Sequence, residues 1–148
     1  MYVSGGIGPA VKMESSLPAS AAYMMINAGF EYAFTPVIST ITDLAIGAAG
    51  TVPFTLRTGV RARLSGLRSP FSPYTQLQWV GGVTFNVGDH HPFTTGARLG
   101  VGADYFLSKN LAIGCVWAFN LLYTAGATDA FYGTVEWIFS VAYRFDGL

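Results

Sequence analysis

The stretch FYGTVEWIFSVAYRF, residues 131–145, alternates in character from one residue to the next. Apart from Gly133, the odd positions carry bulky apolar side chains, whereas Glu136 and Arg144 both fall at even positions. A period of two predicts a β-strand, because successive side chains of a strand point to opposite faces. A helix would spread the rings over all its sides and leave Glu136 unpaired. At about 3.3 Å per residue, the strand is also long enough to cross a lipid bilayer obliquely.

The low charge content of the chain restricts the class of protein. Only 11% of the 148 residues are charged and 51% are hydrophobic, whereas roughly 25% of an ordinary soluble domain is charged. This is too little charge for a conventional water-facing surface. The formal net charge is zero, so nothing suggests a nucleic-acid partner. The length predicts a single domain, residues 1–148, and the single Cys115 excludes a disulfide within the chain.

A helical membrane protein is the first alternative to a strand-based one. A long uncharged run, residues 111–128, reaches the length of a short transmembrane helix. It contains Gly114, Asn120 and Gly126, however, and it ends in turn-forming residues. These interruptions favour strands over helices.

The chain as a whole divides into eight predicted strands, of which the first is rich in glycine. The strands are Tyr2–Pro9, Ala22–Thr35, Ser39–Ala49, Phe54–Leu64, Tyr74–Phe85, Thr94–Leu107, Leu111–Thr124 and Phe131–Phe145. Turns or loops are predicted at Val11–Ala21, Pro36, Gly50–Pro53, Ser65–Pro73, Asn86–Phe93, Leu107–Asn110 and Ala125–Ala130. An even strand number with short connections predicts an all-β, up-and-down antiparallel barrel, whose closure removes the open sheet edges. Eight strands leave an interior that side chains fill, rather than an open pore.

Alternation alone does not say which face of the barrel lies inside. A soluble ligand-binding barrel, such as a lipocalin, would bury the apolar face. Here the polar face is rich in glycine and arginine, whereas a solvated face is normally rich in Lys and Glu, and both lysines, Lys12 and Lys109, fall in predicted connections. The apolar rings are too many for an eight-stranded interior and gather near strand ends, as the interfacial girdles of transmembrane barrels do. We therefore predict a transmembrane barrel, with the soluble barrel as the alternative.

The rings predicted to face lipid or to form the girdles are the bulky aromatic residues of the apolar face. They are Phe34, Trp79, Phe85, Tyr105, Trp117, Tyr123, Trp137, Phe139, Tyr143 and Phe145.

The charged residues of the polar face are predicted to form a network inside the lumen. Its members are Glu31, Asp43, Arg57, Arg61, Arg63, Arg98, Asp104, Glu136 and Arg144. An unpaired buried carboxylate is costly, and guanidinium groups can bind several carboxylates at once, so near-balance of charge is expected. We interpret the network as a polar plug that holds the barrel shut. The alternative is an ion-selective or gated path.

Two segments resemble a known family. The stretch GARLGVGADYFLSKNLAIG, residues 96–114, resembles the strand–turn–strand hairpin of small bacterial outer-membrane β-barrels of the OmpA, OmpX and OmpW type. The closing VAYRF resembles the C-terminal signature that the barrel-assembly machinery recognises in that family, although Asp146, Gly147 and Leu148 follow it here.

The resemblance implies a location in the bacterial outer membrane. It also implies that the termini and the turns at Pro36, Ser65–Pro73 and Ser108–Asn110 face the periplasm, with the other loops outside. The implied partners are outer-membrane lipid, the barrel-assembly machinery and other envelope proteins. Residues 1–10 lack the basic and apolar regions of a signal peptide, so we expect an export signal to have been removed.

Enzymatic motifs are weak, and we predict no enzyme, metal site or cofactor. The adjacent His90 and His91, beside Asp89, are poorly arranged to chelate one metal ion. No serine stands in a strand beside a histidine, as nucleophilic catalysis requires, which departs from the outer-membrane lipid A deacylases. Glu31 and Glu136 have five arginines nearby and are better explained by salt bridges than by acid–base chemistry.

The predicted function is structural: a closed membrane anchor or a subunit of an envelope assembly. No predicted loop exceeds about a dozen residues, an ordinary length for a connection, which favours a compact barrel over a large adhesin. The alternatives are a porin-like channel for small solutes and a soluble ligand-binding barrel.

Overall fold

A computed structural model describes residues 1–13, 22–48, 52–64, 70–85, 92–125 and 130–145. Eight strands run through these residues: β1 Tyr2–Met13, β2 Ala22–Ala33, β3 Ile38–Ala48, β4 Val52–Arg63, β5 Phe71–Phe85, β6 Phe93–Phe106, β7 Leu111–Ala125 and β8 Ala130–Arg144. Each strand is antiparallel to the next, and β8 pairs with β1 to close the barrel. The predicted fold class and strand number are confirmed. In the same described residues no helix has the length and apolar character needed to cross a membrane.

Side chains alternate between the two faces of the barrel wall as the sequence pattern predicts. Trp79, Trp117 and Trp137 are 49%, 47% and 42% exposed on the outside, whereas Arg57 and Glu136 are each 2% exposed inside. This is the reverse of a soluble barrel, because the apolar rings lie on the exterior and the charges lie in the interior. The soluble alternative is therefore wrong.

Several predicted strand boundaries are wrong because prolines lie inside paired strands. The first strand continues past Pro9 to Met13, so Lys12 lies in β1 opposite Thr134 and not in a connection. Pro53 and Pro73 likewise lie within β4 and β5. A proline lacks the N–H donor but keeps its carbonyl acceptor. The carbonyl of Pro73 accepts a hydrogen bond from the amide of Leu64, directly after β4, at 3.1 Å.

Two described turns share one hydrogen-bonding design. Thr35 Oγ1 accepts hydrogen bonds from the amides of Val37 and Ile38 at 3.2 and 2.9 Å. Ser108 Oγ accepts from the two residues at the same relative positions, Asn110 and Leu111, at 3.3 and 3.1 Å. Such hydroxyl contacts stabilise the turn backbone in place of ladder bonds.

Both turns lie at the barrel end where β1 begins and β8 ends, which we call the lower rim. The opposite end, where β1 ends and β8 begins, is the upper rim. The predicted loops at that end fall largely on residues 14–21, 49–51, 86–91 and 126–129, which lie outside the described residues.

The closing seam between β1 and β8 depends on close backbone approach. Ile7 pairs with Phe139 and Ala10 with Glu136, and the two residues between them are not paired with β8. A Cβ atom on Gly8 would overlap the carbonyl oxygen of Trp137. Only glycine allows the two strands to approach this closely.

Candidate functional site in the barrel lumen

A buried carboxylate joins two arginines at the middle of the lumen. Arg57 Nη2 donates to Glu136 Oε1 at 2.8 Å, and Arg98 Nε donates to Glu136 Oε2 at 3.2 Å. All three side chains are 2% exposed. Because each carboxylate oxygen accepts from a different guanidinium group, Glu136 links β8 to β4 and to β6 across the interior.

Two more side chains complete a ring of contacts around the lumen. Arg98 Nη1 donates to Gln78 Oε1 at 2.6 Å, and Gln78 Nε2 donates to Asp43 Oδ2 at 2.7 Å. The other carboxylate oxygen of Asp43 lies 3.7 Å from Arg57 Nη1. We call these five residues the central ring. It contains two guanidinium and two carboxylate groups, so its formal charge is zero.

A second group of charges fills the lumen nearer the lower rim. Arg61 Nη1 and Arg63 Nη2 lie 2.7 and 2.9 Å from Glu31 Oε2, and Arg63 Nη1 lies 2.6 Å from Asp104 Oδ2. Ser39 Oγ donates to Glu31 Oε1 at 2.6 Å. Glu31, Arg61, Arg63 and Asp104 form what we call the lower cluster, and its formal charge is also zero.

Aromatic rings also line the lumen, which the sequence analysis overlooked. The guanidinium carbon of Arg61 lies 4.0 Å from the centroid of the Tyr74 ring. In the upper half, Lys12 Nζ lies 4.3 Å from the centroid of the Tyr132 ring. Residues an even number of positions apart on a strand lie on the same face. Tyr74 therefore faces inward with Gln76, and Tyr132 faces inward with Glu136.

The ninth predicted member of the charge network, Arg144, lies in a different environment. It is exposed at the lower rim, and its guanidinium carbon lies 5.8 Å from the centroid of the Tyr2 ring. The other eight charged residues lie in the central ring or the lower cluster.

The predicted lipid-facing rings all lie on the outer wall. Tyr105, Tyr143 and Phe145 are exposed around the lower rim, and the centroids of the last two rings are 5.0 Å apart. Tyr123 packs against Phe131 near the upper rim, with ring centroids 4.8 Å apart. The remaining predicted rings are exposed on the same wall: Phe34, Trp79, Phe85, Trp117, Trp137 and Phe139.

Between the described residues of the lumen lie two small voids. One, of about 50 Å³, lies beside Arg63, Tyr74 and Asp104, and the other, of about 30 Å³, lies beside Thr55 and Asn120 on the far side of the central ring. One water molecule needs a probe-sized volume of roughly 10–15 Å³. Each void therefore accommodates only a few waters.

No metal-binding constellation occurs among the described residues: none of them form a group of three or more His, Cys, Asp or Glu that could hold an ion. Asp89, His90 and His91 lie outside the described part of the chain. Cys115 is a free, exposed thiol on the outer wall.

The sequence matches the family model of the outer membrane protein beta-barrel domain over residues 1–145. The chain belongs to the outer-membrane β-barrel family. Membership of this family places it in the bacterial outer membrane and accounts for the apolar exterior. The OmpA-like resemblance of the sequence is confirmed. A comparison with curated proteins found no match.

Solved outer-membrane barrels share this fold at low sequence identity. Neisserial surface protein A is 18% identical with a TM-score of 0.73, and the match covers 97% of this chain and 96% of that one. Ail, the attachment invasion locus protein of Yersinia pestis, is 15% identical with a TM-score of 0.67 and 97% coverage of both chains. The N-terminal barrel of Pseudomonas aeruginosa OprF is 14% identical with a TM-score of 0.63, and the match covers 96% of this chain and 97% of that one.

Proposed function

We propose that this outer-membrane barrel is closed to solutes and serves as a structural anchor or a docking subunit for other envelope components. The observation that supports this proposal most directly is the central ring. Its five side chains come from five different strands and meet across the lumen. Arg57, Arg98 and Glu136 have almost no exposed surface. A side-chain-filled interior is the usual state of an eight-stranded barrel.

Opening a solute path through the ring would separate buried charges. Removing one partner from a buried ion pair costs about 3–5 kcal/mol, because the other charge is left uncompensated in a poorly solvated site. Glu136 has two such partners, at 2.8 and 3.2 Å. The closed form therefore dominates at equilibrium.

A channel for small solutes is the second candidate. The observation that favours it is the pair of voids, because one lies on each side of the central ring. In this interpretation the ring is the barrier between them, and rearrangement of its ion pairs opens the path.

Conductance of the refolded protein in planar lipid bilayers distinguishes the two candidates. The closed barrel predicts no discrete openings for the natural protein, and new openings for an Arg98→Ala/Glu136→Ala variant, in which two of the five side chains of the ring are truncated. That variant also shows that the assay detects an open barrel of this size. Discrete openings of the natural protein that disappear on substitution of Arg61 or Arg98 would support the channel and contradict the anchor.

We further propose that the protein acts through its partners and not as an enzyme. The partners are outer-membrane lipid, the barrel-assembly machinery during biogenesis, and envelope proteins that contact its loops or outer wall. The outward Phe139 and Tyr143 on the last strand, with Phe145 directly after it, support engagement by the assembly machinery. Crosslinking and pull-down from native outer membranes test the envelope partners, and recovery of the barrel with lipid alone would contradict the docking role.

A further inference from the structure

Six buried side-chain atoms of the lumen have no hydrogen-bond partner among the described residues. They are Asn27 Oδ1, Asp43 Oδ1, Thr55 Oγ1, Arg57 Nε and Nη1, and Asn120 Oδ1. Buried polar groups are nearly always hydrogen-bonded, because an unpaired group has lost its contact with bulk water without gaining another contact. Each of these atoms therefore requires a partner.

The six atoms gather around the two voids of the lumen. Thr55, Arg57 and Asn120 line the void of about 30 Å³, which we call the upper void. Asn27 and Asp43 line the void of about 50 Å³, which we call the lower void. At roughly 10–15 Å³ for each water, the upper void accommodates about two waters and the lower void about four. Space and unmet hydrogen bonds thus occur together.

The upper void presents both donors and an acceptor. Arg57 Nε and Nη1 are donors, Asn120 Oδ1 is an acceptor, and the Thr55 hydroxyl can act as either. The N–H groups of Nε and Nη1 point from different edges of the planar guanidinium group, so one ligand cannot accept from both. An anion beside Arg57 would be repelled by Asn120 Oδ1 and by the carboxylate of Glu136, which lines the same void.

The lower void presents acceptors. Asn27 Oδ1 and Asp43 Oδ1 both need a donor. A cation would suit these oxygens, but it would be repelled by the guanidinium groups of Arg61, Arg63 and Arg98, which line the same void. Water donates and accepts hydrogen bonds without a net charge, so it suits both voids.

The two voids lie on either side of a gap in the central ring. Arg57 Nη1 and Asp43 Oδ1 are 3.7 Å apart, which is too long for a direct hydrogen bond. Arg57 lines the upper void and Asp43 lines the lower one. A water beside both atoms can accept from Nη1 and donate to Oδ1, and it would complete the ring.

We propose that ordered waters occupy both voids and complete the hydrogen bonding of the central ring. One water bridges Arg57 Nη1 and Asp43 Oδ1, and waters in the upper void contact Arg57 Nε, Thr55 and Asn120. The ring is then held by bound water as well as by ion pairs. Ordered waters are compatible with either result of the conductance experiment, so this proposal stands or fails separately from the closed-barrel function.

Crystals of the refolded protein, soaked separately in bromide and rubidium salts, test the identity of the ligand. We expect solvent density within about 2.7–3.2 Å of Arg57 Nε and Asn120 Oδ1 and between Arg57 Nη1 and Asp43 Oδ1, without anomalous signal. A bromide peak in the upper void or a rubidium peak in the lower void would overturn the proposal in favour of an ion site. Direct protein contacts to the six atoms, with no solvent density beside them, would also overturn it.

Valine variants in detergent micelles test the role of the Thr55 hydroxyl by NMR. Thr55→Val retains the shape of the side chain and is expected to abolish the rotating-frame Overhauser signal between water and the Nε–H of Arg57. Thr55→Ser keeps the hydroxyl and should retain the signal, and Thr55→Ala replaces the valine variant if that one does not fold.

The matched control for these variants is Thr94→Val. Thr94 also lines the upper void, but its hydroxyl is already hydrogen-bonded to that of Thr124 at 3.0 Å. This variant is expected to retain the water signal of Arg57. Loss of the signal in both valine variants, or in neither of them, would overturn the proposal.

Discussion

Replacing Glu136 with glutamine removes the carboxylate that bridges Arg57 and Arg98. The central ring then holds two guanidinium groups and the single carboxylate of Asp43, whose nearest approach to Arg57 is 3.7 Å. Both arginines are 2% exposed, so bulk water cannot replace the lost charge. Removal of one partner from a buried pair costs about 3–5 kcal/mol, and we expect the free energy of unfolding to fall by at least that amount. The glutamine retains the size of the side chain, so the loss reports charge and not a cavity.

Urea unfolding in phospholipid vesicles, followed by tryptophan fluorescence, measures this loss. Glu31→Gln is the matched control, since its partners Arg61 and Arg63 are more exposed, at 17% and 12%, and Arg63 keeps Asp104. We expect a smaller loss for that variant. An Arg57→Met/Arg98→Met/Glu136→Leu triple variant should recover most of the stability, because apolar replacement of a buried ion pair is often neutral. If Glu136→Gln lowers the free energy of unfolding by less than about 1 kcal/mol, the range of exposed ion pairs, the buried charge of Glu136 does not stabilise the barrel as proposed.

Three further predictions concern the seam, a turn and the lumen. Gly8→Val should prevent barrel closure, because its side chain overlaps the Trp137 carbonyl. Gly5→Val should fold, because a Cβ atom there lies 3.9 Å from the Asn27 carbonyl oxygen, an ordinary contact distance; heat-modifiable migration in electrophoresis distinguishes the two variants. Ser108→Ala removes the acceptor of two turn amides and should cost about 1 kcal/mol in the same unfolding assay, with no effect on folding yield. Lys12→Gln should leave the barrel closed in conductance measurements, because Lys12 lies outside the central ring; openings in this variant would contradict the assignment of the ring as the barrier.

The sequence predicts the strand number and the two faces well because both depend on local alternation. A period of two places Glu136 inside and Trp137 outside without knowledge of any neighbour. The same parity identifies Tyr74 and Tyr132 as inward rings. Strand ends were less predictable, since Pro53 and Pro73 are usual turn residues and only pairing with a neighbouring strand keeps them extended.

The partners inside the lumen could not be predicted from the sequence. Arg57 and Glu136 are 79 positions apart, and their contact depends on the register of every strand pair between them. Gln78 enters the central ring because it lies between Arg98 and Asp43 in space, although its own sequence context shows only a polar inward position. Arg144 lies at an even position of β8, as the inward Glu136 does, but it is too near the end of the strand to be buried.

Tryptophan quenching in vesicles tests the orientation of the two faces most directly. The three outward tryptophans are predicted to be quenched strongly by phospholipids brominated on their acyl chains and weakly by acrylamide in the aqueous phase. Strong acrylamide quenching with little effect of the brominated chains would show that the rings face water, and it would contradict the assignment of the apolar wall to lipid and of the charged network to the lumen.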